Sequence, residues 1–320
     1  MTAAPGDGGG KPAGNRLTGV RGMFDVLRNL GFLPGTSARD PELLRFTADD
    51  GQPIPVYAAG HGLPVVFLHG LGCSHRHWKA VARRMRRRHA VYAWDARGHG
   101  GGRPLIGEPV TLRRLARDLA QLLAHFALDR AVLVGHSMGA LTVMQYLNDH
   151  GPGRILAFCL VDQSPRVVTD QDWRLGLFGD CSAQMLCGLI DGARQDLSAT
   201  VMREISAAAG RASRWLGPQA FPGRLLHGWL KSLEVQPLLD LCESLVAADF
   251  RDLLPSVNRP LMVVLGGRSA HYAHVPLAEY YRAVAPGVEV HRYEAAGHSP
   301  HFAEPARFAA DLERFIAAVQ

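Results

Sequence analysis

The chain has 320 residues, of which 47% are hydrophobic and 20% charged, and a formal net charge of +6. That balance is globular and excludes a collagen-like, coiled-coil or wholly disordered chain. No stretch reaches the ~18 continuous apolar residues of a membrane span. The opening MTAAPGDGGGKPAGN lacks the apolar core of a secretory signal, so a cytoplasmic location is expected. Cys73, Cys159, Cys181, Cys187 and Cys242 then read as reduced, mostly buried thiols. The basic charge is local: residues 76–130 hold 13 Lys/Arg against 4 Asp/Glu. No nucleic-acid motif or aromatic interleaving accompanies it, so the run reads as a solvated helix face and no nucleic-acid partner is expected.

Residues 1–20, rich in Gly, Pro and Ala, are expected to be disordered. Residues 21–42 are expected to form a helix and linker. Within them, GMFDVLRNLGFLPG puts Met23, Phe24, Leu27 and Leu30 near one side. From residue 43, LLRFTADDGQPIPVYAAG makes two extended runs around an Asp50–Gly51 turn. PVVFLHG (64–70) is a buried strand. A helix over 76–88 turns Trp78, Val81, Ala82 and Met85 inward, with Arg76, Lys79 and Arg83 on the outer stripe. AVYAWDARGHG (90–100) is strand and loop, and a helix over 111–126 has Thr111 as its N-cap. AVLVGHSMG (131–139) reads as strand, sharp turn and helix start. ILAFCLVDQSP (155–165), PLMVVLGG (260–267) and VEVHRYEAAGHSP (288–300) add strands, and ARFAADLERFIAAV (306–319) closes with a helix. Apolar strands alternating with helices imply a mostly parallel sheet covered on both faces. Residues 166–250 break the rhythm with helical runs rich in Leu, Met and Trp. They read as a helical cap inserted into a core made of 43–165 and 251–320.

The chemistry centres on Gly135-His136-Ser137-Met138-Gly139, a G-x-S-x-G sequence between a strand and a helix. A sharp strand-to-helix turn strains the backbone at the serine, and small residues two before and two after it avoid clashes. His69-Gly70-Leu71-Gly72 follows another strand, so the N–H groups of Leu71 and Met138 can face one oxyanion. His298, after the last strand, is placed as the general base. His69 and His99 read as loop buttresses, His136 as structural, and His271, His274 and His301 as surface or structural residues, with the lining of a pocket mouth as the alternative. His75 and His77, two apart, share no helix face, so no metal site is expected from that pair.

The segments HGLGCSHRHW (69–78), DARGHG (95–100), GHSMG (135–139), LVDQSP (160–165) and GHSPHFAEP (297–305) resemble the α/β-hydrolase superfamily. The resemblance implies an eight-stranded sheet with an antiparallel second strand and an active site at the strands' C-terminal edge. It also implies a serine hydrolase, since Ser137 stands where epoxide hydrolases and haloalkane dehalogenases carry Asp, and one that needs no cofactor and no metal. One departure stands out. Family members usually carry the triad acid after strand 7, where this chain has Ser269 in GGRSAHY (266–272). Some carry it after strand 6, which here is Asp162. Asp249, Asp252 and a Ser–His dyad remain alternatives. The strand 6 acid and the helical cap resemble discrete thioesterases that release polyketide chains, polyether-releasing ones among them. The expected substrate is therefore an acyl ester or thioester, with an acyl carrier protein as a partner that the basic helix 76–88 would suit. A C–C bond hydrolase, a cofactor-free haloperoxidase and a non-catalytic hydrolase-fold binding protein are the rival readings.

Overall fold

The structure is a computed structural model that describes residues 42–101, 109–209, 224, 228, 230, 231 and 234–320. The segment 1–20, the helix expected over 22–35, Trp215 and Trp229 lie outside the described residues.

Eight strands form one sheet: β1 (Glu42–Thr47), β2 (Pro53–Ala59), β3 (Leu63–Leu68), β4 (His89–Trp94), β5 (Ala131–His136), β6 (Ile155–Val161), β7 (Leu261–Gly266) and β8 (Glu289–Tyr293). Their order across the sheet is β1-β2-β4-β3-β5-β6-β7-β8. β2 runs antiparallel to both neighbours, and every other pairing beyond it is parallel. This is the sheet the sequence led us to expect. The β1–β2 turn closes at Gly51, whose φ of 85° suits a residue without Cβ.

Both faces are covered, because alternate residues of a strand point to opposite sides. Val66, Leu68 and Leu133 join a core beneath α2 (Leu112–His125), α3 (Met138–His150) and α6 (His274–Val284). Val65, Phe67, Val132 and Val134 face α1 (Lys79–Met85) and α8 (Pro305–Val319). The helix expected over 76–88 opens as a 3-10 turn at His75–Trp78 and ends at Met85, since the chain must reverse into β4 at His89. Its inward residues Trp78, Val81 and Met85 are buried and its arginine stripe is mostly exposed, as the periodicity requires. Thr111 caps α2, its hydroxyl accepting from the Arg114 N–H at 3.1 Å. The five cysteines are unpaired. Cys159 and Cys181 are buried, Cys73 and Cys242 half-buried, and Cys187 is exposed, against the expectation of burial.

Between β6 and β7 the chain departs from the sheet into α4 (Ala183–Ala209), broken at Asp196, and α5 (Val235–Val246). Ile190 and Ala193 of α4 pack on Leu239 of α5 in a small core of their own. The two ends of this excursion meet. Arg166 bridges Asp249 in antiparallel fashion, and the Phe250 N–H donates to the Pro165 carbonyl at 3.0 Å.

A buried ion network ties the β4 loop to its surroundings. The Arg97 guanidinium, 2% exposed, donates to both Asp118 oxygens at 2.6 and 2.7 Å and to Asp50 at 2.6 Å. Asp118→Ala would take the bidentate partner from a buried guanidinium and leave it the Asp50 carboxylate, so it should cost up to about 3–5 kcal/mol of stability. Chemical denaturation should show the loss as a lowered midpoint with unchanged slope.

Candidate active site

The end of β5 delivers Ser137 into a turn that forces its φ to 53°, and α3 starts at the next residue. The two flanking glycines are what this geometry permits. A methyl group on Gly135 would lie 2.4 Å from the Gly139 carbonyl oxygen, and one on Gly139 would lie 2.3 Å from that of Leu68. Ser137 is held through its backbone, its N–H donating to the Val161 carbonyl at 3.1 Å. Met138 is the first residue of α3, so its N–H lacks an acceptor within the helix. Leu71 lies in the loop after β3, on the wall of the same cavity as Ser137, Met138 and His298.

Asp162 stands at the end of β6, next to β5 in the sheet, and its backbone is also left-handed, with a φ of 47°. Its carboxylate is fully buried and accepts three hydrogen bonds. The Gly266 N–H reaches Oδ1 at 2.8 Å, the Ser269 hydroxyl reaches Oδ2 at 2.6 Å, and His298 Nδ1 lies 2.7 Å from Oδ2. Ser269 occupies the strand 7 position where a carboxylate was expected, and its hydroxyl donates to Asp162. It thereby bonds the carboxylate that meets His298. Asp249 is engaged by Arg251 at 2.7 Å and by Arg166 at 3.5 Å, and Asp252 is exposed. Neither is hydrogen-bonded to His298, whose Nδ1 faces Asp162.

Burial pushes the Asp162 carboxyl up to about 6, against the pull of the Ser269 and Gly266 hydrogen bonds. Burial also holds the His298 ring down at about 3. At neutral pH this leaves a carboxylate facing a neutral imidazole, which donates from Nδ1 and keeps its lone pair on Nε2. The His271 ring stacks on His298 at 3.9 Å between centroids and 15° between planes. Nothing in the sequence singled out that contact, because stacking depends on the path of the loop after β7.

The remaining histidines divide. His69 is buried and links two loops, with Nδ1 donating to the Gly70 carbonyl at 2.9 Å and Nε2 accepting from the Ala96 N–H at 3.1 Å. His99 Nδ1 lies 3.1 Å from the Arg97 carbonyl. His136 Nε2 donates to the His298 carbonyl at 2.8 Å, so the residue before the serine positions the segment that carries His298. His75 turns to Asp95 at 2.9 Å, whereas His77 turns inward toward His136 and His301. His301 is wholly buried rather than placed at a pocket mouth. Burial lowers His77, His136 and His301 well below the ordinary imidazole value.

A cavity of about 650 Å³ opens over Ser137 and His298. Leu71, Met138 and Leu141 border it from below. Leu186, Ile190 and Leu197 of α4 and Leu238, Leu245 and Val246 of α5 line it from above.

A profile described as the Alpha/beta hydrolase family matches residues 65–311. The chain belongs to this family. This α/β hydrolase is an enzyme, and its relatives include several hydrolases. It is 26% identical to a pimeloyl-[acyl-carrier protein] methyl ester esterase of Vibrio vulnificus, over 80% of this chain and 95% of that protein. It is 33% identical to a non-heme haloperoxidase of Rhodococcus erythropolis, over 39% of this chain and 46% of that one. Among solved structures, an esterase from Exiguobacterium antarcticum superposes with a TM-score of 0.72 at 20% identity, covering 85% of this chain and 98% of that one. No described helix of the α/β hydrolase is long and apolar enough to cross a membrane.

Proposed function

We propose that this α/β hydrolase cleaves carboxylic esters or thioesters through a Ser137–His298–Asp162 triad and an acyl-enzyme intermediate. The observation that carries the reading is the 2.7 Å contact between Asp162 and His298 Nδ1, beside a cavity that Ser137 also borders. His298 Nε2 takes the proton of the Ser137 hydroxyl as its oxygen attacks the acyl carbonyl. The N–H groups of Leu71 and Met138 hold the oxyanion of the tetrahedral intermediate. Collapse expels the alcohol or thiol, which takes its proton from His298. Water, activated by the same ring, then releases the acid. A fluorophosphonate probe should label Ser137 in the wild type and leave Ser137→Ala unlabelled. No labelling of the folded wild type would favour a non-catalytic binding protein instead.

The helical excursion 166–250 serves as a cap, in this reading, entering and leaving at the Arg166–Asp249 bridge. Its apolar lining favours a medium or long acyl chain. Each buried CH₂ contributes up to ~0.8 kcal/mol, so four additional carbons should raise kcat/KM by as much as roughly 10²-fold. A series of p-nitrophenyl esters from acetyl to octanoyl measures this, and a steady fall along the series would contradict it. The carrier-protein ester named for the Vibrio relative and the exposed arginines of α1 support an acyl group presented on an acidic carrier protein. A discrete thioesterase releasing a polyketide chain fits this description. Acyl esters and N-acetylcysteamine thioesters compared side by side separate the two leaving groups.

The carboxylate also sets a pH dependence. Asp162, raised to about 6 by burial, must be ionised to accept the His298 Nδ1–H. Protonation as the pH falls removes that acceptor, and the pair titrates together. We expect kcat/KM to be level above pH 7 and to fall about tenfold per unit below pH 6. A profile flat to pH 4 would mean that the carboxylate plays no part.

The local match to a haloperoxidase supports a second reading, peroxide-dependent halogenation. Bromination with peroxide and bromide, measured beside ester hydrolysis, decides between them.

A further inference from the structure

Beneath the nucleophile turn, three histidines converge from three separate segments. His77 comes from the 3-10 turn after the oxyanion loop, His136 from the end of β5, and His301 from α7 (Pro300–Ala303). One ring nitrogen of each lies within 4.8 Å of the other two. The rings of His77 and His136 each stand edge-on, or tilted, 4.7 Å from that of His301. All three side chains are at least nine-tenths buried.

Their hydrogen bonding is incomplete. His77 Nδ1, His136 Nδ1 and both nitrogens of His301 are buried without a hydrogen-bond partner. A neutral imidazole always carries one N–H and one lone pair, and leaving either unmatched in a protein interior costs free energy. Buried polar groups are nearly always satisfied, so three neighbouring rings with four unmatched nitrogens call for a common partner. A single hydrogen bond between two rings would match two of them, whereas an ion bound by one nitrogen of each ring matches three. A divalent transition-metal ion accepts several lone pairs at once, and imidazole is its commonest protein ligand. The hydrogen bond from His136 Nε2 to the His298 carbonyl has the form of an outer-shell contact that fixes a ligand's tautomer and leaves Nδ1 with its lone pair.

We propose that His77, His136 and His301 form a metal site for a zinc-like divalent ion, structural in role and distinct from the nucleophile and its base. The ion would join three segments that each carry part of the active site. His136 precedes Ser137, His301 follows His298 by three residues, and His77 follows the loop of Leu71. His77 and His136 also border the large cavity, which gives solvent a route to any remaining coordination position.

The test is equilibrium dialysis of the full chain against Zn²⁺, with Co²⁺ as the spectroscopic probe. We expect one Zn²⁺ per chain, the visible bands of low-coordinate Co²⁺, and a Tm raised by about 5 °C at saturating Zn²⁺. His301→Ala should lose all three. His77→Leu, which keeps volume on the cavity side, should lose the stoichiometric ion even if His301→Ala does not fold. His298→Ala and Asp162→Asn should keep it. Absence of stoichiometric binding in the wild type, or binding that survives both His77→Leu and His301→Ala, overturns the site. Loss of the ion in His298→Ala would move it into the catalytic centre and overturn the assignment of ligands.

Discussion

Ser137→Ala should yield a folded protein whose kcat/KM on every accepted acyl substrate falls by roughly 10⁶-fold, the scale set by removing a triad nucleophile. The loss should reside in kcat, because the hydroxyl forms a bond that no neighbouring group can form. Stability should hardly change. The turn is held by main-chain bonds, Ser137 N–H to Val161 and its carbonyl to the Ala140 and Leu141 N–H groups. Serine and alanine carry the same Cβ, so the strain at a φ of 53° is common to both. Thermal unfolding and active-site labelling should be run on one preparation. A folded variant with near-wild-type turnover would remove Ser137 from the mechanism, and with it the acyl-enzyme.

Asp162→Asn should lower kcat by about 10⁴-fold, the reference drop for a triad acid. The structure makes this substitution informative. Asparagine tolerates a left-handed backbone, so the φ of 47° at this position is no obstacle. The Gly266 N–H needs an acceptor, which directs the asparagine oxygen toward it and the amide NH₂ toward His298 and Ser269. His298 Nδ1 must then accept, its proton shifts to Nε2, and the lone pair that should take the Ser137 proton is gone. Ser269→Ala should act far more gently, within about tenfold, because it removes one of three hydrogen bonds to the carboxylate and leaves the contact to His298. The two variants measured together distinguish the readings. Full activity in Asp162→Asn would return the choice to a Ser–His dyad, or to Asp249 or Asp252.

Much of this was legible in the primary structure because the relevant physics is local. Period-two and period-3.6 apolar patterns marked strands and helices, with Val81 and Met85 inward on α1 and every residue of β5 buried. Glycines two residues either side of Ser137 announced a turn that tolerates no Cβ at those places. The absence of a carboxylate at position 269 could be read directly, and so could the candidacy of Asp162. What the sequence left open was which groups meet. Asp162 and His298 lie 136 positions apart, and Asp162 and Ser269 lie 107 apart. Only the sheet order, with β6 between β5 and β7, brings the three to one edge. The same order explains why the Ser269 hydroxyl reaches Asp162. It stands at the end of β7, immediately beside the strand that carries Asp162. The spacing of His75 and His77 argued against a shared site, and the structure does send those two rings to different partners. It gives His77 neighbours from β5 and α7, a convergence with no trace in spacing along the chain. Local periodicity reports which face of an element is buried. The partners on that face are set by the packing of distant segments, and therefore by the tertiary structure alone.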